Sequence, residues 1–226
     1  MPSQPWFDFH NQNADLTWIF LPGWGMDGRI FSHLQGPFNR LIIHHFRKGH
    51  YLSDIDTLLS TLPITPLSLC GYSLGGFIAV ALLNQMKQSF QKVVLAGIAP
   101  SYPLERLRTI HKHLEKNHRA YMKQFYKAAC HGSNAYALFK SQFQDALLER
   151  FSKDQLQDSL SLLGTLDIHT LPKHPNLHVI HGAKDIICEA NQLRRISGLR
   201  NPKIIPTTGH FLLHEPDFIN VIQPIT

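Results

Sequence analysis

The pentapeptide Gly71-Tyr-Ser-Leu-Gly75 limits this chain more than any other stretch, because of what stands on either side of it. Leu67-Ser-Leu-Cys70 before it is short and apolar, and Gly76-Phe-Ile-Ala-Val-Ala-Leu-Leu83 after it has the apolar density of a buried helix. A serine between two glycines at such a junction requires a sharp strand-to-helix turn, where a Cβ at either glycine would run into neighbouring backbone. The turn sets Ser73 at the amino end of the helix, where unpaired N–H groups and the helix dipole favour developing negative charge. This is the pattern of a nucleophile elbow, and Ser73 is the candidate nucleophile.

An elbow of this kind needs a parallel sheet to stand on, and the rest of the chain has the segments for one. Apolar runs rich in β-branched residues alternate with helical patterns. The strand candidates are Thr17–Leu21, Leu41–Phe46, Leu67–Cys70, Lys92–Ala96, Leu177–Ile180 and Pro202–Ile205. An early strand over Trp6–Phe9 is expected to pair with the next through the polar Asn11-Gln-Asn13 turn. Val93-Val-Leu95 is apolar without alternation, as strands buried on both faces are. Between about Ala99 and Leu177 no strand pattern occurs. Three helices are predicted there, over Pro103–Ala129, Ser133–Phe151 and Lys153–Leu163. The expected organisation is a core of residues 1–100 and 171–226, mostly parallel sheet with helices on both faces, and a helical cap over 101–170.

Bulk properties narrow the class. At 226 residues, 43% hydrophobic and 17% charged, the chain has room for one sizeable core and the composition of a globular protein. The segment Met1–Trp6 lacks the pattern of a secretory signal, and no apolar stretch reaches bilayer length. Three widely spaced cysteines, Cys70, Cys130 and Cys188, fit neither a disulfide framework nor a zinc site, so a cytoplasmic setting is expected. A formal charge of +6 and a pI near 9.3 point to an acidic partner. Nucleic-acid motifs are missing, and a monomer without metal or cofactor is expected.

A serine hydroxyl needs a base, and the base needs an orienting acid. With the nucleophile upstream, both belong in loops after later strands, acid before histidine. Of 15 histidines, His210 in Thr208-Gly-His-Phe211 directly follows the last strand candidate; His214 is its nearest rival. His181-Gly-Ala-Lys-Asp185 follows the strand Leu177–Ile180, which makes Asp185 the acid in preference to Asp167. Leu21-Pro-Gly-Trp-Gly25 follows the first central strand, so the backbone N–H groups of Trp24 and Leu74 are the candidate oxyanion donors. The pairs His44-His45 and His111-x-His113 point different ways along a strand or helix, and do not read as metal ligands.

Taken together, Phe20-Leu-Pro-Gly-Trp-Gly25, Gly71-Tyr-Ser-Leu-Gly-Gly76, His181-Gly-Ala-Lys-Asp185 and Gly209-His210 resemble the α/β-hydrolase superfamily along essentially the whole chain. Within it they look most like the pimeloyl-acyl-carrier-protein methyl ester carboxylesterases of biotin biosynthesis. That resemblance implies an α/β-hydrolase fold, a serine carboxylesterase and an acyl methyl ester on an acyl-carrier protein as substrate. Two departures stand out. Pro22-Gly23 replaces the usual His-Gly, and Arg47-Lys-Gly-His-Tyr51 replaces the common acidic loop.

The predicted first cap helix adds a basic stripe. Arg108, Lys112, Lys116, Arg119, Lys123 and Lys127 are spaced 4, 4, 3, 4 and 4, within an arc of roughly 100° on a continuous helix. Leu107, Ile110, Leu114, Tyr121 and Phe125 fall opposite. The stripe reads either as a dock for an acidic carrier protein or as an ordinary solvated face, with a membrane-surface helix a third option. Other chemistries share the same triad: a small-ester esterase, a thioesterase, or a menaquinone-type C–C lyase or hydrolase. The reading from outside enzymes is a ligand-sensing protein on a hydrolase fold.

Overall fold

The computed structural model describes residues 5–47, 49–62, 66–86, 89–132 and 134–223. Seven strands form one sheet: β1 (Phe7–His10), β2 (Thr17–Leu21), β3 (Asn39–Ile43), β4 (Leu67–Tyr72), β5 (Phe90–Ala96), β6 (Leu177–Gly182) and β7 (Lys203–Ile205). Their order is β1-β3-β2-β4-β5-β6-β7, all parallel except β1, which runs antiparallel to β3. Every residue of β2 and β3 is buried, as expected for strands covered on both faces.

Two strand expectations need correction. β1 does not pair with the strand that follows it. It lies on the far side of β3, with Phe7 opposite Ile43 and His10 opposite Arg40. β2 is already occupied on both sides, by β3 and β4, so an additional strand can add only at the edge. The strand expected over Leu41–Phe46 ends at Ile43 instead. β2 turns off at Leu21, which leaves residues 44–46 no parallel partner, and they become a loop.

The chain crosses from β3 to β4 through α1 (Tyr51–Thr61) and from β4 to β5 through α2 (Leu74–Gln85). From β2 it moves outward to β3, then returns across β2 to β4. In open α/β sheets such a reversal leaves a crevice beyond the carboxyl ends of the two strands concerned, and ligands bind there. Here those ends carry Pro22–Trp24 and Ser73.

Between β5 and β6 the chain is helical. α3 (Leu104–Ala129) packs on α6 (Lys153–Leu163), and between them run α4 (Ala135–Phe139), a π-helical turn over Lys140–Gln144 and α5 (Asp145–Arg150). Ser133, the expected start of the second helix, lies outside the described residues. α6 begins with a capping box: the Ser152 hydroxyl accepts from the Gln155 N–H, and the Gln155 side chain returns to the Ser152 N–H.

α3 is not one continuous rod. Asn117 is extended (φ −165°, ψ 91°), and its Oδ1 accepts from the Ala120 N–H at 2.9 Å, so it acts as the amino cap of the second half. Among the bonds that tie the segment to the core, two reach the loop after β2: the Trp24 indole N–H donates to Leu156 O (2.9 Å), and the Tyr126 hydroxyl to Gly25 O (2.7 Å). The last helix, α7 (Pro216–Ile222), follows β7. Among the described residues no helix is long and apolar enough to cross a membrane.

Candidate active site

Ser73 stands between β4 and α2 with φ 54° and ψ −117°, a left-handed conformation that costs a non-glycine residue about 1–3 kcal/mol. The surroundings hold it there. The Ser73 N–H donates to Ala96 O at 2.8 Å, and the Ser73 carbonyl accepts from the N–H groups of Gly76 (2.8 Å) and Phe77 (3.3 Å). The flanking glycines are sterically required. A Cβ on Gly71 would overlap the Gly75 carbonyl, and one on Gly75 would overlap the carbonyls of Leu21 and Pro22. The first turn of α2 therefore presses directly on the loop after β2.

The N–H of Leu74 belongs to the first helical turn and lies outside the helix's own bonding. Gly23, Trp24 and Leu74 line the same cavity of about 390 Å³. Beyond them the wall is formed by Met26, Phe46 and Phe151, with His44, His45, Arg47, Gln155 and Asp158 adding polar atoms. Sequence reading did not find this outer wall. Its residues come from the loops after β2 and β3, from Phe151 before α6 and from α6 itself, and nothing local in these stretches announces a shared cavity.

Ser73, His210 and Asp185, far apart in sequence, form one chain of contacts. His210 Nε2 lies 2.9 Å from Ser73 Oγ, and His210 Nδ1 lies 2.7 Å from Asp185 Oδ2. Asp185 Oδ1 accepts from the N–H groups of Ile187 and Cys188, both at 2.8 Å. His210 and Asp185 are buried. Burial by itself would raise the Asp185 pKa, but the charge and hydrogen bond of His210, with His181 and the Cys188 N–H, outweigh it and hold the carboxyl below its ordinary range. The carboxylate therefore stays ionised and accepts a proton-bearing Nδ1, which leaves Nε2 as the acceptor facing the serine.

The two rivals lie elsewhere. Asp167 is exposed and forms an isolated bridge with Ser101. His214 stacks on His33 with ring centroids 3.8 Å apart, and its pKa is pushed down to about 4, first by burial and then by His33.

The basic stripe requires correction. All six cations are exposed, but the break at Asn117 divides them, with Arg108, Lys112 and Lys116 before it and Arg119, Lys123 and Lys127 after. They therefore stand on two helical segments and not on the one continuous helix expected. Arg119 also donates to Leu148 O at 3.2 Å, a structural tie within the cap. Leu107, Ile110, Leu114 and Phe125 are buried on the opposite side, and Tyr121 is half-buried. The paired histidines are engaged otherwise. His44 Nε2 meets Asp8 at 2.9 Å, His45 Nδ1 faces Arg150 at 3.4 Å, His111 faces Gln157, and His113 stacks on Tyr121. Among the described residues no group of three or more candidate ligands comes together as a metal site.

Comparison with known proteins follows the same outline. The alpha/beta hydrolase fold family model matches residues 24–217, and the chain belongs to that family. Similar solved structures include an esterase from Exiguobacterium antarcticum, 16% identical over 95% of this chain and 91% of that one, with a TM-score of 0.77. The enol-lactonase from Burkholderia xenovorans is 16% identical over 95% and 92%, with a TM-score of 0.73. MenH from S. aureus is 16% identical over 96% of both chains, with a TM-score of 0.72. These likenesses are in fold. No curated protein matches the sequence.

Proposed function

We propose that this protein is a serine hydrolase of carboxylic esters, with Ser73 as nucleophile, His210 as general base and Asp185 as the orienting acid. The observation that carries the reading is the unbroken line from Ser73 Oγ through His210 to Asp185, at 2.9 and 2.7 Å, beside a cavity that shares Trp24 and Leu74 with the candidate oxyanion hole. His210 Nε2 takes the hydroxyl proton as Oγ bonds to the ester carbonyl carbon, and the N–H groups of Trp24 and Leu74 bind the resulting oxyanion. The tetrahedral adduct collapses, the proton passes from His210 to the departing alcohol, and an acyl-serine remains. Water then gives a proton to His210 and attacks the acyl carbon. The second collapse releases the acid and returns the proton to Ser73.

For substrate we favour pimeloyl-acyl-carrier-protein methyl ester, with methanol leaving. Its support is the motif resemblance together with six exposed cations on α3 that could meet an acidic carrier. Three free, buried cysteines support a cytoplasmic setting. The Asn117 break and the Arg119 tie favour a second reading, a small free ester bound without a carrier.

Ser73→Ala tests the chemistry. It should abolish p-nitrophenyl ester hydrolysis and fluorophosphonate labelling while leaving the melting temperature nearly unchanged. Substantial turnover by the folded variant would sink the assignment, and a ligand-sensing role would replace it. Reversing Arg108, Lys112 and Lys116 to Glu tests the substrate. KM for a carrier-linked ester should rise several-fold, and added salt should raise it for the wild type in the same direction, while a small neutral ester is hydrolysed as before. Equal behaviour on both esters would select the free-ester reading.

A further inference from the structure

The acid in the site has a second histidine on it. His181, the fifth residue of β6, is fully buried, and its Nε2 lies 2.6 Å from the Cys188 carbonyl and 3.4 Å from Asp185 Oδ2. Both neighbours are acceptors only, so Nε2 must bear the hydrogen. Nδ1 is then a bare lone pair, and it is buried with no partner. Adding a proton there would leave a charged, unpaired N–H in the core. Burial lowers the His181 pKa against the opposing pull of Asp185 and the Cys188 bond. The ring is thus a neutral, fixed donor.

Its position closes a loop of bonds. Cys188 donates its N–H to Asp185 Oδ1, and its carbonyl accepts from His181, which leans on Asp185 Oδ2. Ile187 N–H and His210 Nδ1 occupy the remaining sites of the carboxylate. Three donors thus bond the carboxylate, while the His181 N–H, whose hydrogen goes to the Cys188 carbonyl, lies beside Oδ2 at 3.4 Å.

We infer that His181 is a positioning residue for the Asp185–His210 pair: its bond to the Cys188 carbonyl holds the peptide whose N–H fixes Asp185 Oδ1, and its polar N–H edge lies beside the oxygen that His210 uses. This rests on the reading of Ser73, His210 and Asp185 as a catalytic triad. An imidazolium at His210 is stabilised by charge on Oδ2, and the partial positive charge of the His181 N–H, 3.4 Å from that oxygen, weakens the stabilisation. Removing the donor should therefore make the base easier to protonate.

Other ionisable groups around the pair hold their charge near neutral pH. Tyr72 on β4, whose ring centroid is 5.2 Å from that of His210, is pushed up by burial, as are Cys188 and Tyr102, and Cys130 is pushed up to about 12. Arg106 on α3 donates to the carbonyls of Ile186 (3.1 Å) and Ile187 (3.0 Å). Lys184 reaches outward to Gly132 O at 3.4 Å.

The test compares His181→Leu, which lacks the donor, with His181→Gln, whose amide N–H can reach the same acceptors. Each is followed by kcat/KM and by the rate constant of fluorophosphonate labelling across pH, the latter being independent of the fraction folded. In His181→Leu the acid limb should move up by about half a unit to one unit. Its plateau kcat should fall about tenfold, from looser geometry at Asp185. KM should hold, because His181 does not line the cavity. His181→Gln should restore the limb. A purely structural role would lower the melting temperature without moving the limb in either variant, and that result overturns the proposal. If the leucine variant does not fold, His181→Asn, polar but too short to reach Cys188, should show the same shift, and a wild-type limb there refutes the idea. Ser73→Ala in the same assay separates the two failures: turnover by that variant removes the triad itself, whereas an inactive Ser73→Ala with an unmoved limb removes only the role of His181.

Discussion

Replacing Asp185 by asparagine should nearly abolish turnover without unfolding the protein, and the hydrogen bonds dictate why. Oδ1 is held by two N–H groups, Ile187 and Cys188, each at 2.8 Å, and neither can do anything but donate. In Asp185→Asn the amide oxygen must therefore take that side, because the opposite orientation would set an NH₂ against two N–H groups. The amide NH₂ then faces His210 Nδ1 across the present 2.7 Å contact. Nδ1 is forced to accept, the ring hydrogen moves to Nε2, and Nε2 points that hydrogen at Ser73 Oγ, 2.9 Å away. A nitrogen in that state cannot take the serine proton. Loss of the correct tautomer in a Ser-His-Asp triad costs about 10⁴ in kcat, or about 5.4 kcal/mol of barrier. Initial rates on p-nitrophenyl acetate and a thermal melt of the same preparation check it, with KM expected to stay close to wild type. A variant that melts normally and keeps more than a tenth of the wild-type kcat would refute the tautomer argument and the acid assignment with it.

Three further outcomes follow from other contacts. Gly75→Ala should cut kcat at least tenfold and lower the melting temperature, because its Cβ overlaps the Leu21 and Pro22 carbonyls and must displace the oxyanion loop; a melt and one saturation curve suffice. Tyr126→Phe removes the 2.7 Å bond to Gly25 O from a buried site and should destabilise by about 1–3 kcal/mol, read by urea denaturation. For His214 the folded pKa, about 4, lies below the unfolded value, so its contribution is complete above pH 6.5 and fades as pH falls towards 4. Allowing for its contact with solvent, about 1–2 kcal/mol is at stake, and His214→Leu should flatten the fall of the melting temperature over that range by a few degrees.

The parts of this structure that could be read from the chain are those imposed by backbone geometry at the ends of strands. Gly71 and Gly75 announce a turn that admits no Cβ, and the residues of interest follow strands directly: Ser73 after β4, Asp185 after β6, His210 after β7. Parallel strands place all their carboxyl ends on one edge, so residues in those loops meet whatever their separation in sequence. What escaped reading depends on partners remote in sequence. The placement of β1 beside β3 is decided by the prior occupation of both sides of β2, which no local pattern encodes. The break in α3 rests on a single asparagine, a residue that serves helix interiors poorly and amino caps well, and spacing alone treats it as one more helical step. His181 left only a weak signal: it is one of two histidines in β6, with His178, and stands four residues before the acid it lies beside.

The same division separates reaction from substrate. The chain from Ser73 to Asp185 rests on strand ends and on glycines pressed against backbone, so it tolerates little variation. The cavity beside it is built from Phe46 and Arg47 after β3, Phe151 before α6, and Gln155 and Asp158 within α6. Trp24 spans the two, since it lines the cavity with Leu74 while its indole N–H holds Leu156 O on α6. A shift of α6 therefore reaches the loop after β2 through the Trp24 side chain. On this architecture a change of substrate can be made by altering the cap and the loop after β3, whereas a loosened Trp24–Leu156 bond would degrade the hydrolysis of every ester alike.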